Sequence, residues 1–320
     1  MKHRTIETNL FCALSLFGRV SFLFKNINLI NFLKESNRQK KILLSLPFFM
    51  VALTSSSCEQ PEPKCVILLQ RSNEGMFASL EDVMSLMNDY ENKKVTCAIV
   101  DFRNTGLYYD KNKGLNWWQY YFEPIEIGDI DSNKTFEFRD NGRYYERNFS
   151  REKFYTFIKK YIHIKPELQG KIDQFFQEKL AGSYVIGVHY RGTDKSIEAP
   201  RVKYETVKKA IDEQILGLKE KHGSNYKIFV ATDEDGFLAY MENVFGNKIY
   251  AQTIERSTDG NPVHSNPKNT PYESGEGALL DCILLSKSNI LIRTSSNLSR
   301  WSTYFNPSIP VIELNVRWWW

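Results

Sequence analysis

The 320-residue chain lacks several features that would place it in a large protein class at once. It has five cysteines. Cys12 and Cys58 fall in an N-terminal segment of distinct composition, which leaves Cys65, Cys97 and Cys282, an odd number at wide spacing that implies no disulfide framework. Buried free thiols are the expected state. A Cys65–Cys97 bridge is the alternative, because both residues precede apolar runs that read as neighbouring strands. The histidines His3, His163, His189, His222 and His264 are scattered, and no metal-ligand spacing is present. There is no internal repeat, and the one low-complexity tract is Trp318-Trp319-Trp320. A net excess of positive charge is also missing from the body of the chain. The total is +4, but residues 1–41 carry eight Lys or Arg against two Glu, so residues 42–320 sum to −2. A nucleic-acid-binding surface is excluded on charge.

Long apolar runs are missing as well. Asn9 to Phe24 is broken by Arg19, and Ile42 to Leu53 is 12 residues, short for a membrane-spanning helix. The second run follows Arg38-Gln39-Lys40-Lys41 and precedes Thr54-Ser55-Ser56-Ser57-Cys58, an arrangement that resembles a secretory signal of the bacterial lipoprotein kind. Against export, it starts some 40 residues into the chain, and no apolar residue lies three places before Cys58. An uncleaved, membrane-apposed segment is the alternative. Glu59 to Pro63 reads as a linker, so residues 1–63 form a leader and the folded body begins near Lys64.

What the body has is alternation. With 42% hydrophobic and 25% charged residues the chain is globular. Cys65 to Leu69 and Val95 to Val100 read as strands flanking a helix from Gly75 to about Tyr90, a first strand–helix–strand unit. The aromatic cluster from Trp117 to Pro124 suits either a sugar-stacking platform or a packed core. Phe154 to Ile164 and Pro166 to Leu180 look helical. From Tyr184 onward strands at 184–190, 227–231, 248–251, 289–293 and 309–314 alternate with helices near 201–221, 234–245, 276–287 and 297–305. That pattern predicts a parallel, doubly wound sheet.

In such a sheet the carboxyl ends of all strands share one edge, where ligands bind. The 184–190 strand ends in His189-Tyr190-Arg191-Gly192-Thr193-Asp194-Lys195. The next ends in Thr232-Asp233, and a later one in Arg293-Thr294-Ser295-Ser296-Asn297. Between them Gly275 to Asp281 opens a helix. Each turn alone reads equally as a helix cap or a solvated loop. Together they place an arginine fork, carboxylates and helix-start donors on one edge, which suits an anionic, phosphate-bearing ligand.

These motifs, with Ala278 to Ser286 and Thr294 to Asn297, resemble those of GDP-fucose-dependent fucosyltransferases, of the α1,6 branch that includes nodulation and core-glycan enzymes and, more distantly, protein O-fucosyltransferases. The resemblance covers residues 184–314. It implies a GT-B-like α/β fold of two Rossmann-like domains, here 64–183 on the acceptor side and 184–320 for the nucleotide sugar. It implies inverting, metal-independent transfer of fucose from GDP-fucose to a glycan or lipid-linked sugar, with no cofactor. By position, Arg191 would bind the diphosphate, and His189 and Asp281 would contact guanine. Asp233 would orient the donor, Ser295 and Ser296 would hold phosphate, and Asp194 and Lys195 would complete the donor site. Glu198 is the candidate base, although Ala199 occupies the equidistant position. The sequence departs from the core-glycan enzymes at Gly192, where they carry a second arginine, which leaves acceptor and linkage open. Transfer from another nucleotide sugar, and a non-catalytic glycan- or nucleotide-binding role, are the alternatives. The expected location is membrane-associated, facing the donor pool, with a cytoplasmic protein or exported lipoprotein as alternatives. Sequons begin at Asn133, Asn148 and Asn297.

Overall fold

The computed structural model describes residues 64–70, 74–130, 135–140, 150–193, 199–222, 225–261 and 268–316. The leader, Asp194, Lys195, Glu198 and the three terminal tryptophans lie outside the described residues, as do Asn133 and Asn148. Backbone contacts separate Met1–Gln60 from Pro61–Trp320, and every described residue belongs to the second unit. No helix among the described residues is long and apolar enough to cross a membrane.

The order of elements is β1 (Lys64–Leu68), α1 (Met76–Glu91), β2 (Val95–Val100), the single turn α2 (Trp118–Tyr121), β3 (Glu126–Gly128), β4 (Phe136–Arg139), α3 (Arg151–Tyr161) and α4 (Pro166–Phe175), which runs on into a π-helical turn, Phe176–Leu180. Then follow β5 (Tyr184–Tyr190), α5 (Tyr204–His222), β6 (Tyr226–Thr232), α6 (Asp235–Phe245), β7 (Ile249–Tyr250), α7 (Pro271–Ser286), β8 (Ile290–Arg293), α8 (Asn297–Phe305) and β9 (Val311–Glu313).

Two sheets result. The first has the order β3-β2-β1-β4, with β1 parallel to both β2 and β4 and with β3 antiparallel to β2. Its β1–α1–β2 portion is the expected strand–helix–strand unit, and the antiparallel edge strand was not foreseen. The second sheet has the order β7-β6-β5-β8-β9 and every pairing in it is parallel. The chain builds outward from β5 to β7 and then returns to the other side of β5 for β8 and β9. This reversal makes the β5/β8 boundary the topological switch point, where the connections leave in opposite directions and open a crevice.

Both faces of the parallel sheet are covered, so its strands can be apolar throughout. Ile186, Val188, Tyr190, Ile228, Val230, Ile290 and Ile292 pack beneath α5 and α6. Val185, Phe229, Ala231 and Leu291 join a second cluster with Leu279 and Leu284 of α7 and with Val66, Leu80 and Trp117 from the first layer.

The expected start of α7 near residue 276 is corrected to Pro271. Thr270 accepts from the Glu273 amide at 3.2 Å while the Glu273 carboxylate accepts from the Thr270 amide at 2.8 Å, a reciprocal cap followed by proline at the first helical position. Gly275 lies inside the helix because of what faces it. A Cβ there would come within 2.2 Å of the Tyr121 hydroxyl and 2.9 Å of Tyr108 Cδ1.

Two further expectations are settled here. The aromatic cluster is core, with Trp117, Trp118, Tyr121 and Phe122 all at 0% exposure, which removes the stacking-platform reading. Burial is tolerated because the polar tips have partners: Trp118 Nε1 donates to the Glu123 carbonyl at 2.9 Å and Tyr121 to the Tyr272 carbonyl at 2.9 Å. Cys65 and Cys97 are bonded to each other, not free, and among the described residues Cys282 is the buried free thiol. A shift in the β1/β2 register between Lys64 and Cys65 makes Cys97 the partner of Cys65, at a Cα separation of 4.5 Å. Without that irregularity Cys65 would face Thr96.

Candidate active site

At the carboxyl edge of the parallel sheet, over the switch point, lies a cleft of about 530 Å³. His189 and Arg191 enter it from the end of β5, Thr232 and Asp233 from the end of β6, and Ser296 to Leu298 from the start of α8. Ser274, Gly277, Ala278 and Asp281 of α7 form one wall. Their i, i+3, i+4, i+7 spacing puts them on one helix face, and their small size leaves room for a flat ligand above the carboxylate. The start of α1, from Gly75 to Ala78, and Tyr108 complete the lining.

Among the described residues of the expected set, Arg191 is the most accessible charged group, with its side chain 29% exposed. Its Nη1 lies 3.1 Å from Asp233 Oδ2, and its amide donates to Thr294 Oγ1 at 2.8 Å. The same Asp233 carboxylate accepts from the Gly192 amide at 2.9 Å and from the Thr193 hydroxyl at 2.6 Å. Asp233 is thus committed to holding the β5 loop and aiming Arg191. A planar guanidinium held by Asp233 and lining the cleft is suited to a diphosphate.

His189 is 4% exposed and its Nδ1 has no hydrogen-bond partner among the described residues. Burial pushes its pKa down to about 3. The Asp233 charge opposes that fall, while Arg191 and Arg293 add to it. The imidazole is therefore neutral at physiological pH, with one donor and one acceptor nitrogen.

Asp281 is 3% exposed and carries a pKa pushed up to about 7, chiefly by burial, against the lowering influence of Gln252 and Arg256. Gln252 Nε2 donates to Asp281 Oδ1 at 2.5 Å, and Arg256 donates to the Gln252 carbonyl at 2.7 Å. A buried carboxylate with one oxygen supported in this way suits paired N–H donors of a heterocyclic base. Gln252 and Arg256 were missed in the sequence. They lie between β7 and α7, in a stretch without periodicity or motif.

The two serines part company. Ser296 is the extended residue that precedes α8, a helix with no acidic residue in its first turn, and it lines the cleft with Asn297. The first-turn amides there are anion donors by position. Ser295 is set back: it is 6% exposed and its amide is spent on Asn315 Oδ1 at 2.7 Å, so the expectation that its backbone holds phosphate is corrected. Ser299 of the Asn297 sequon is fully buried. The structure thus brings together His189, Arg191, Asp233, Asp281 and Ser296. Among the described residues no cluster of His, Cys, Asp and Glu could hold a metal ion.

The family model of nodulation protein Z (NodZ) matches residues 145–317. A crystal structure of NodZ α-1,6-fucosyltransferase soaked with GDP-fucose is similar at a TM-score of 0.56 and 19% identity, over 78% of this chain and 94% of that one. Fucosyltransferase NodZ from Bradyrhizobium is similar at a TM-score of 0.52 and 16% identity, over 78% and 95%. No curated protein matches the sequence.

Proposed function

The chain belongs to the NodZ family, and from that premise we propose that it is a glycosyltransferase moving fucose from GDP-fucose to a glycan or lipid-linked sugar, with inversion and without a metal ion. One observation carries the reading. The Arg191 guanidinium and the start of α8 face a cleft at the β5/β8 switch point that also contains the buried Asp281 carboxylate. A GDP-sugar has matching groups: a guanine with adjacent N–H donors for Asp281, and a diphosphate for Arg191 and the α8 amides.

The chemistry follows from charge. As the glycosidic C–O bond to the β-phosphate breaks, negative charge accumulates on departing GDP. A fixed guanidinium that stays protonated and the partial positive charge at a helix start stabilise that charge without moving. His189, held neutral, supplies a hydrogen bond and adds no further charge. The acceptor hydroxyl must lose a proton to become the nucleophile, and Glu198 is the proposed base on its sequence position. Membrane association through Ile42 to Leu53 belongs to the same proposal and is supported by sequence alone.

The test is turnover. The full chain is incubated with GDP-fucose, GDP-mannose and a UDP-sugar, and nucleotide release is followed with and without an array of glycan acceptors. Acceptor-dependent release of GDP from GDP-fucose is expected. Release from a UDP-sugar with none from GDP-fucose would contradict the proposal, and no release from any donor would favour a binding protein.

A further inference from the structure

We infer that Arg201 is a positioning residue for the diphosphate site, fixing the direction in which Arg191 emerges; the inference rests on the GDP-sugar reading above. Arg201 does not line the cleft and its side chain is 48% exposed, so it acts through the loop that follows β5. That loop is held on two sides by consecutive residues at the end of β6. Asp233 takes the Gly192 amide at 2.9 Å. On the other side of the residue, Arg201 Nη1 donates to the Gly192 carbonyl at 2.6 Å while its Nη2 donates to Glu234 Oε1 at 2.6 Å.

Contacts made by its two neighbours in sequence hold Arg201 in place. The neighbouring Pro200 carbonyl accepts from Asn315 Nδ2 at 2.7 Å, and Asn315 Oδ1 takes the Ser295 amide at 2.7 Å. The Val202 carbonyl accepts from the buried Tyr190 hydroxyl at 2.8 Å. The strap bearing Arg201 is thereby fastened to the ends of β5 and β6 and, through Asn315, to the turn after β8. Gly192 completes the fit. A Cβ at this position would lie 1.8 Å from Glu234 Oε2 and 2.8 Å from Tyr190 Cε1, so the carbonyl gripped by Arg201 belongs to a residue with no room for a side chain. A guanidinium can serve a carbonyl and a carboxylate with separate, rigidly spaced N–H groups, which an ammonium on a flexible stem does poorly.

The experiment compares GDP with guanosine, which lacks the phosphates, by calorimetry on the full chain, with thermal melting to confirm folding. Arg201→Gln is expected to weaken GDP binding about tenfold, or about 1.4 kcal/mol, and to leave guanosine binding unchanged. Arg201→Lys should fall between, and it decides by the same ratio if Arg201→Gln does not fold. A wild-type GDP-to-guanosine ratio in these variants would overturn the role of Arg201 while leaving the GDP-sugar reading intact. Equal losses for both ligands would also overturn it, since a merely structural residue would act on both. Failure of the wild type to bind GDP would overturn the reading and this inference together.

Discussion

The Arg191 guanidinium and the Asp233 carboxylate meet at 3.1 Å across the ends of two adjacent parallel strands. This pairing orients the Arg191 guanidinium, which lines the cleft. Arg191→Ala is expected to lower kcat/KM with GDP-fucose by about 100-fold or more, the scale of losing one preorganised charge contact. Melting temperature should change little, since the side chain is partly exposed. Asp233→Asn, which keeps the shape but not the charge, should give a smaller loss. Initial rates and thermal melts on the same preparations check both.

Asp281 sets a pH dependence with a definite sign. Its folded pKa, about 7, stands above the ordinary carboxylate value of 3.8, so the folded state favours the protonated acid. The stability this contributes is complete below the unfolded value and is lost as pH rises through about 7. Asp281→Asn should therefore raise the melting temperature relative to wild type at pH ~8 and not at pH ~4, while weakening GDP binding. Melting curves at the two pH values, with a GDP titration, check this.

His189 acts in the opposite sense. Its folded pKa of about 3 lies below the ordinary 6.5, so its contribution to stability is present above 6.5 and is lost as pH falls toward 3. Replacement with glutamine should flatten the acid limb of the stability profile between pH ~6 and ~4. Denaturant midpoints measured across that range are the check.

The Cys65–Cys97 bond closes a sequence separation of 32 residues. On the chain-entropy account it contributes about 3.7 kcal/mol, so the double replacement by serine should lower the unfolding free energy by roughly that amount. Peptide mapping without reductant should recover the two cysteines linked and Cys282 alkylated only after unfolding.

Legibility in the sequence followed the regularity of the local signal. The strand from Tyr184 to Tyr190 was readable to the residue because an unbroken apolar run ends at a polar turn, and the parallel order followed from the helices between strands. The start of α7 was hidden because Gly275 and Gly277 look like breakers, whereas the Thr270–Glu273 cap starts the helix and the glycines admit Tyr121 and Ile254. The cysteine bond depended on a one-residue irregularity in strand register, which composition does not encode. In the site, His189 and Arg191 were legible because they sit at a strand end, and Asp281 because it lies on a helix that borders the same edge. Gln252, Arg256 and Arg201 were not, since they reach their partners from irregular segments. Tyr108 was also missed: its hydroxyl accepts from the Met76 amide at 3.1 Å, a contact between a loop and the start of α1, distant in sequence.

The most direct test of the central claim is calorimetric titration of the full chain with GDP and with UDP, repeated on Arg191→Ala. The account predicts that the wild type binds GDP and discriminates against UDP, because Asp281 is placed for a base with adjacent N–H donors, and that the variant loses most of its GDP affinity. Equal affinity for the two nucleotides, or undiminished GDP binding by the variant, would contradict it.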